Sequence, residues 1–360
     1  MRRMLLRGVA ALTVVVSALT MSACRSEQVP SAESEGTIAL LLPDAEVTRY
    51  ETSDRPTFED VAGERCPTCT LLYANAGGSA ARQQEQAEAM LARGAGVLVI
   101  DAVDAVAAEA IAAAAAREGA LVVAYDRFIA SPDVTAYVSF DSKLIGRMQA
   151  LAVLKQLADQ GIDDPGILVV NGSATDPNAA DLRAGIHSVL DRSDARVLGE
   201  FESPAWSATR AQDWVTGQLT QHPGDVDGII AANDGLAGGS IASVKAAGID
   251  PVPPVSGQDA ELSAVQRILD GDQLMTVAKS TESQARIAAE VAVRLLRGEH
   301  PVAVAKIRGV PSFLLAPTSV FRGDVERVII RGRIHALDDV CAPAYRDACI
   351  ENGLIDKETP

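Results

Sequence analysis

From Thr37 onward the chain alternates short apolar runs with helical stretches, and this punctuation limits the fold more than any other feature. Runs at residues 38–42, 71–73, 97–100, 121–125 and 137–140 have the length and aliphatic content of buried strands. Between them, residues 80–93 and the alanine-dense 103–117 read as helices, stopped by Gly94 and Gly119. A second series follows a helix at 143–159, with strands expected at 167–170, 197–201, 228–231, 255–257 and 275–278, and a helix at 282–297. Late strands are expected near 312–315 and 328–330. Apolar strands joined by helices call for parallel sheets covered on both faces, with right-handed crossovers. The two series agree in rhythm but not residue by residue, so the expected fold is α/β, with two doubly wound parallel-sheet lobes. Roughly 320 residues lie beyond the N-terminal segment, more than one hydrophobic core usually organises. A composition 48% hydrophobic but only 4% aromatic suits aliphatic helices on strands better than an all-β sandwich.

Before Thr37 the chain has a different character. Arg2, Arg3 and Arg7 precede an apolar run over 9–21 and the small pair Ser22-Ala23, which marks residues 1–23 as a secretory signal peptide. The run is shorter than the about 20 apolar residues that a membrane span requires. Met21-Ser22-Ala23-Cys24 reads as a lipobox with Cys24 as the lipid anchor, although Met stands where Leu is preferred. Residues 24–36, built of Ser, Glu, Pro and Ala, bury too little to order themselves and are expected to form a tether. The expected location is outside the cytoplasm, periplasmic or cell-surface, with the membrane reached through the lipid alone.

With Cys24 set aside, Cys66, Cys69, Cys341 and Cys349 form an even set in a chain bound for an oxidising compartment. Four cysteines allow three pairings, and the short separations favour Cys66 with Cys69 and Cys341 with Cys349. A redox role for Cys66-Pro67-Thr68-Cys69 is disfavoured because the motif precedes a strand instead of opening a helix after one. A zinc site is disfavoured because Cys341 and Cys349 lack two-residue spacing and His335 stands alone. No metal and no cofactor are expected. A formal net charge of -16 excludes nucleic acid, whose binders cluster Lys and Arg against phosphates.

Polar residues fall where strands end. Asp101, Asp126 with Arg127, Asn171, Asn233 with Asp234, and Gln258 with Asp259 all follow expected strands, at the carboxyl edge where open α/β sheets bind ligands. Any one of them suits a helix cap equally well; both halves contributing several points to one cleft between two sheet edges. A pyranose needs bidentate acceptors, fork-shaped donors and a plate for its apolar face. Asp126, Asp259 and Asn233 can accept, Arg49, Arg127, Arg183 and Lys279 can donate, and Trp206, in a loop past a strand, can supply the plate. Trp214, inside a helical stretch, reads as core.

These residues are where a resemblance appears. Leu41-Leu42-Pro43-Asp44 with Arg49-Tyr50, Ala124-Tyr125-Asp126-Arg127, Ser139-Phe140-Asp141, and Asp176-Pro177-Asn178 with Arg183-Ala184-Gly185 come in order. Ala232-Asn233-Asp234 with Gly238-Gly239, Ser256-Gly257-Gln258-Asp259-Ala260, and Met275-Thr276-Val277 with Lys279 follow. The ordered set resembles the periplasmic sugar-binding proteins (type I solute-binding proteins) of ABC importers, most closely the D-xylose-binding branch. The resemblance implies two lobes joined by three crossings, near Asp141, Lys279 and Ala316. The N-terminal lobe would be residues 37–140 plus 279–315, the C-terminal lobe 141–278 plus 316–335, and 336–360 an extension. It implies a monosaccharide ligand touching Arg49, Asp126, Arg127, Asn178, Arg183, Trp206, Asn233, Asp259 and Lys279, a monomer, and a permease partner. Ser280 departs from the family, where a Pro is common after the Lys, and the cysteine pairs are not general in it. Other readings are a secreted carbohydrate-active enzyme using Asp126 and Asp259 as acid and base, or a receptor serving a sensor or chemoreceptor. A transcription regulator of this fold would carry a helix-turn-helix module where the signal sequence stands.

Overall fold

The structure, a computed structural model, describes residues 35–45 and 47–357. The expected signal peptide, Cys24 and most of the expected tether lie outside them. Along the chain the strands are β1 (Thr37–Leu42), β2 (Thr70–Asn75), β3 (Ala95–Ile100), β4 (Leu121–Tyr125), β5 (Val134–Phe140), β6 (Gly166–Asn171), β7 (Arg196–Glu202), β8 (Gly228–Ala231), β9 (Met275–Ala278), β10 (Ala305–Ile307), β11 (Val310–Leu315) and β12 (Thr318–Phe321).

A seven-stranded sheet runs in the order β2-β1-β3-β4-β5-β11-β10. Every pair in it is parallel except β10 with β11. Successive side chains of a strand point to opposite faces, so both faces must be covered. Ile38, Leu40 and Leu42 pack with helices Arg55–Arg65 and Thr281–Leu296, whereas Ala39 and Leu41 pack with Ala80–Ala92 and Ala108–Arg117. The last of these helices starts later than the alanine pattern suggests, because Asp104 Oδ1 accepts from Val106 N and Ala107 N, both at 2.9 Å, and holds a turn first.

In the second lobe β7-β6-β8 form a parallel sheet and β9-β12 an antiparallel pair. Residues 254–257 join them. Ile229 N donates to Pro254 O and Ser256 N to Ile229 O on one side, while Leu274 N donates to Val255 O and Val277 N to Gly257 O on the other. The strand expected at 255–257 is therefore reduced to these rungs and one bridge to β8, since Pro251, Pro253 and Pro254 remove donors on its approach. Counting that segment, the second sheet repeats the spatial order β2-β1-β3-β4-β5 of the first.

Residues 328–330 are not a strand: they lie in the helical turn Val325–Ile330. Val325 and Ile329, four positions apart, both bury against helix Leu262–Asp270, a helical spacing that the apolar triplet alone conceals. Helices Leu337–Val340 and Arg346–Glu351 pack beside the same helix, where Gln266 Nε2 donates to Asp339 O at 3.0 Å. The sulfurs of Cys341 and Cys349 lie at disulfide distance, as do those of Cys66 and Cys69. Three crossings connect the lobes: between Phe140 and Ser142, between Ala278 and Thr281, and between Leu315 and Thr318.

Helices Ser142–Asp159 and Pro177–Leu190 approach backbone to backbone, Gly146 facing the Leu182 carbonyl and Gly185 the Lys143 carbonyl, with no room for a Cβ at either. Gly146→Ala should lower the unfolding free energy by about 1–3 kcal/mol through overpacking, measured by urea titration. An unchanged midpoint would contradict this packing.

Candidate functional site

The carboxyl ends of both sheets open onto one narrow cleft. Arg49, Asp126 and Arg127 enter it from the first lobe, Asn178, Trp206, Asn233 and Asp259 from the second, and Lys279 from a crossing, with Val47, Tyr50, Ser142, Asp176 and Gln258 between them. Every residue expected at a ligand site is here except Arg183.

Three cleft residues hold a backbone that L side chains rarely adopt: φ is 59° at Asp126, 57° at Trp206 and 99° at Asp259. Such residues cost about 1–3 kcal/mol each and persist only when their surroundings fix them. Around Asp126 the fixing is visible, since its carbonyl accepts from Tyr137 Oη at 3.0 Å, Ser139 Oγ at 2.7 Å and Asn178 Nδ2 at 3.0 Å. Beyond Asp259, Ala260 N donates to Thr276 Oγ1 at 3.2 Å, Glu261 N donates to Asp234 Oδ2 at 2.9 Å, and His335 Nε2 lies 2.7 Å from Ala260 O. Trp206 packs over Gly172, where any side chain would strike the ring, and its Nε1 donates to Asp176 Oδ2 at 3.1 Å.

Charge in the cleft is paired. Arg49 Nη2 donates to Asp126 Oδ2 at 2.7 Å and Nη1 to Asp54 Oδ1 at 3.3 Å, while Gln284 Nε2 donates to Asp126 Oδ1 at 3.1 Å. Burial works against ionised Asp126, but the cations Arg49 and Lys279 outweigh it and hold the carboxyl below its ordinary range. Burial dominates at Asp54 and pushes it up to about 6 in spite of Arg49; Tyr125 Oη donates to the same carboxylate. Lys279 Nζ lies 3.0 Å from Asp259 Oδ1. Arg127 Nη1 donates to Ala102 O at 2.8 Å and Nη2 to Tyr50 Oη at 3.3 Å, with Nε 3.4 Å from Asp101 and 2.9 Å from Asp176.

Asn233, expected as an acceptor, uses its Oδ1 to cap helix Asp234–Ala246 through Leu236 N at 2.9 Å. Arg183 lies outside the cleft, with Nε donating to Glu200 at 2.8 Å and Nη1 to Glu202 at 3.4 Å in a surface groove. At 100° per residue it stands roughly 140° around the helix from Asn178, so the two cannot face the same opening. Asn171 turns toward Glu200 as well, and Asp234 sits behind the cleft, accepting from Gln273, Thr276 and Glu261. Sequence reasoning missed Asp54 and Gln284. A glutamine inside an alanine-rich helix gives no signal of its own, and Asp54 follows no strand.

The chain matches the periplasmic binding protein domain family over residues 38–300. A D-xylose-binding periplasmic protein of Escherichia coli (strain K12) is 32% identical over 306 residues, 83% of this chain and 90% of that protein. One from Haemophilus influenzae is 32% identical over 311 residues, covering 84% and 91%. A carbohydrate transporter solute binding protein from Chloroflexus aurantiacus, solved with D-glucose, superposes with a TM-score of 0.77 at 26% identity, covering 85% of this chain and 98% of that one. The chain belongs to the periplasmic binding protein family, whose members bind solutes and are not enzymes.

Glu261 gives a test of the loop that carries Asp259. Burial and the neighbouring Asp259 push its carboxyl from 4.5 up to about 7, only partly countered by Arg267. A carboxyl raised in the folded state binds its proton more tightly there, so stability falls as pH rises from the unfolded value through the folded one. Glu261→Gln should therefore melt about 2 °C above wild type at about pH 8, with the gain gone near pH 4.5. Equal offsets at both pH values would contradict this environment.

Proposed function

We propose that this chain is an extracytoplasmic lipoprotein receptor that closes on a monosaccharide, D-xylose or a related aldose, and presents it to an ABC importer as a monomer. The observation that carries the reading is the cleft itself: ionised and amide groups from two separate sheets face one small gap. Asp126 and Asp259 would accept from sugar hydroxyls, Arg49, Lys279 and Asn233 would donate, and Trp206 would cover the apolar ring face. Relatives named for D-xylose, sharing 32% identity along most of the chain, support that class of ligand. An Asp126 held ionised by Arg49 and Lys279 suits hydroxyl recognition and not proton donation, which weighs against a glycoside-cleaving role.

Arg49 with Asp126 and Lys279 with Asp259 already neutralise each other in the cleft. A sugar hydroxyl inserted between such partners bonds both without stranding a charge. Because it would touch both lobes, it favours the closed form over any open one, the differential affinity that ligand-driven closure requires. The lobes would divide at residues 140/141, 278/279 and 315/316. No helix among the described residues is long and apolar enough to cross a membrane, and we place membrane attachment at Cys24.

A thermal-shift panel of aldopentoses, aldohexoses and polyols tests the reading. One sugar should stabilise the protein, by about 2.7 kcal/mol at 100 times its dissociation constant. Asp126→Asn and Asp259→Asn keep a residue type that tolerates left-handed backbone and should each weaken that sugar by about 10- to 100-fold. No stabilising sugar, or undiminished binding by both variants, would contradict the assignment.

A further inference from the structure

Asp176 is absent from the expected ligand set, yet three parts of the cleft meet on its carboxylate. Its Oδ1 accepts from Asn178 N at 2.8 Å and caps helix Pro177–Leu190. Its Oδ2 accepts from Trp206 Nε1 at 3.1 Å and lies 2.9 Å from Arg127 Nε, which belongs to the other lobe. The side chain is buried, as is that of Arg127.

Arg127 is anchored largely within its own lobe. Ala102 O and Tyr50 Oη accept from its two terminal nitrogens, each of which keeps a second N–H, and Asp101 and Asp176 flank Nε. Of these partners, only Asp176 comes from the second lobe. Opening the lobes would leave Arg127 with Asp101, Ala102 and Tyr50, and Asp176 with its cap and its tryptophan, so neither ion is stranded when the pair parts. Direct contacts reinforce the same seam: Asn178 Nδ2 donates to Asp126 O at 3.0 Å, and Thr175 Oγ1 donates to Val103 O at 3.4 Å.

We propose that Asp176 is a positioning residue that latches the closed lobes through Arg127 while fixing Trp206 over the ligand space, so that the latch acts with or without sugar. Arg127, expected to contact the ligand, is also the other half of the latch. The inference deepens the sugar-receptor reading and rests on it for the identity of the ligand, but not for the latch itself.

Two variants separate the latch from the helix cap. Asp176→Asn keeps one acceptor for Asn178 N and turns an NH2 group toward two donors, and Asp176→Ser is another good cap without that clash. Unliganded small-angle X-ray scattering and the D-xylose dissociation rate, followed by tryptophan fluorescence, are the measurements. Both variants should show a larger radius of gyration than wild type without sugar, release D-xylose at least about tenfold faster, and melt within about 3 °C of wild type. Unchanged scattering overturns the latch, as does an unchanged release rate, and a collapsed melting temperature in both variants would make Asp176 a folding residue instead. If wild type responds to no sugar, the receptor reading fails, and the scattering comparison alone still decides the latch.

Discussion

Parallel strands fix the direction in which their polar ends point, and here two parallel sheets turn those ends toward each other. The central strands β1, β3, β4, β6 and β8 are buried on both faces, so ionised groups have no place along them and collect where they stop. Strands β1 and β4 deliver Arg49 and Asp126 from one side, and β8 and the 254–257 segment deliver Asn233 and Asp259 from the other. The crossings that connect the lobes run close to the same place, so Lys279 enters the cleft from the connection itself. Once the sheets are set, the composition of the cleft follows.

What the sheets do not set is the aim of the side chains, and local backbone does that. Asp126, Trp206 and Asp259 adopt left-handed φ values that only a surrounding web of hydrogen bonds can sustain. The web at Asp126 draws on β5 and on Asn178 of the opposite lobe. Asp259 depends on β9, on Asp234 and, through Ala260, on His335 near the C-terminal extension. Residues remote from the cleft thus determine where its carboxylates point. Burial adds a second constraint, because a charge removed from water needs a partner. The guanidinium–carboxylate and ammonium–carboxylate pairs of the cleft meet that need before any ligand arrives.

Much of this was legible in the sequence because it depends on periodicity and on strand ends. The paired βαβ series and the glycine stops gave the two lobes, and the polar residues after the strands pointed to the cleft, with Asp126, Arg127, Asn233, Gln258 and Asp259 lining it and Asp101, Asn171 and Asp234 lying outside its lining. Periodicity misled at 328–330, where a bare apolar triplet cannot tell alternation from helical spacing, and at 255–257, where flanking prolines thin the ladder. Arg183 was misplaced because sequence proximity to Asn178 says nothing about which face of a helix a residue occupies. Gln284, Asp54 and the part played by Asp176 were beyond reach, since each acts through partners brought from distant segments. At Asn233 the cap that any residue after a strand can form takes up part of the acceptor capacity the sequence suggested.

A crystal structure of the protein with D-xylose tests the central claim most directly. The account predicts one sugar in the cleft, bonded at once to Arg49 or Asp126 and to Asn233 or Asp259, with the Trp206 ring against its face. A sugar held by one lobe alone, or seated outside this gap, would contradict it.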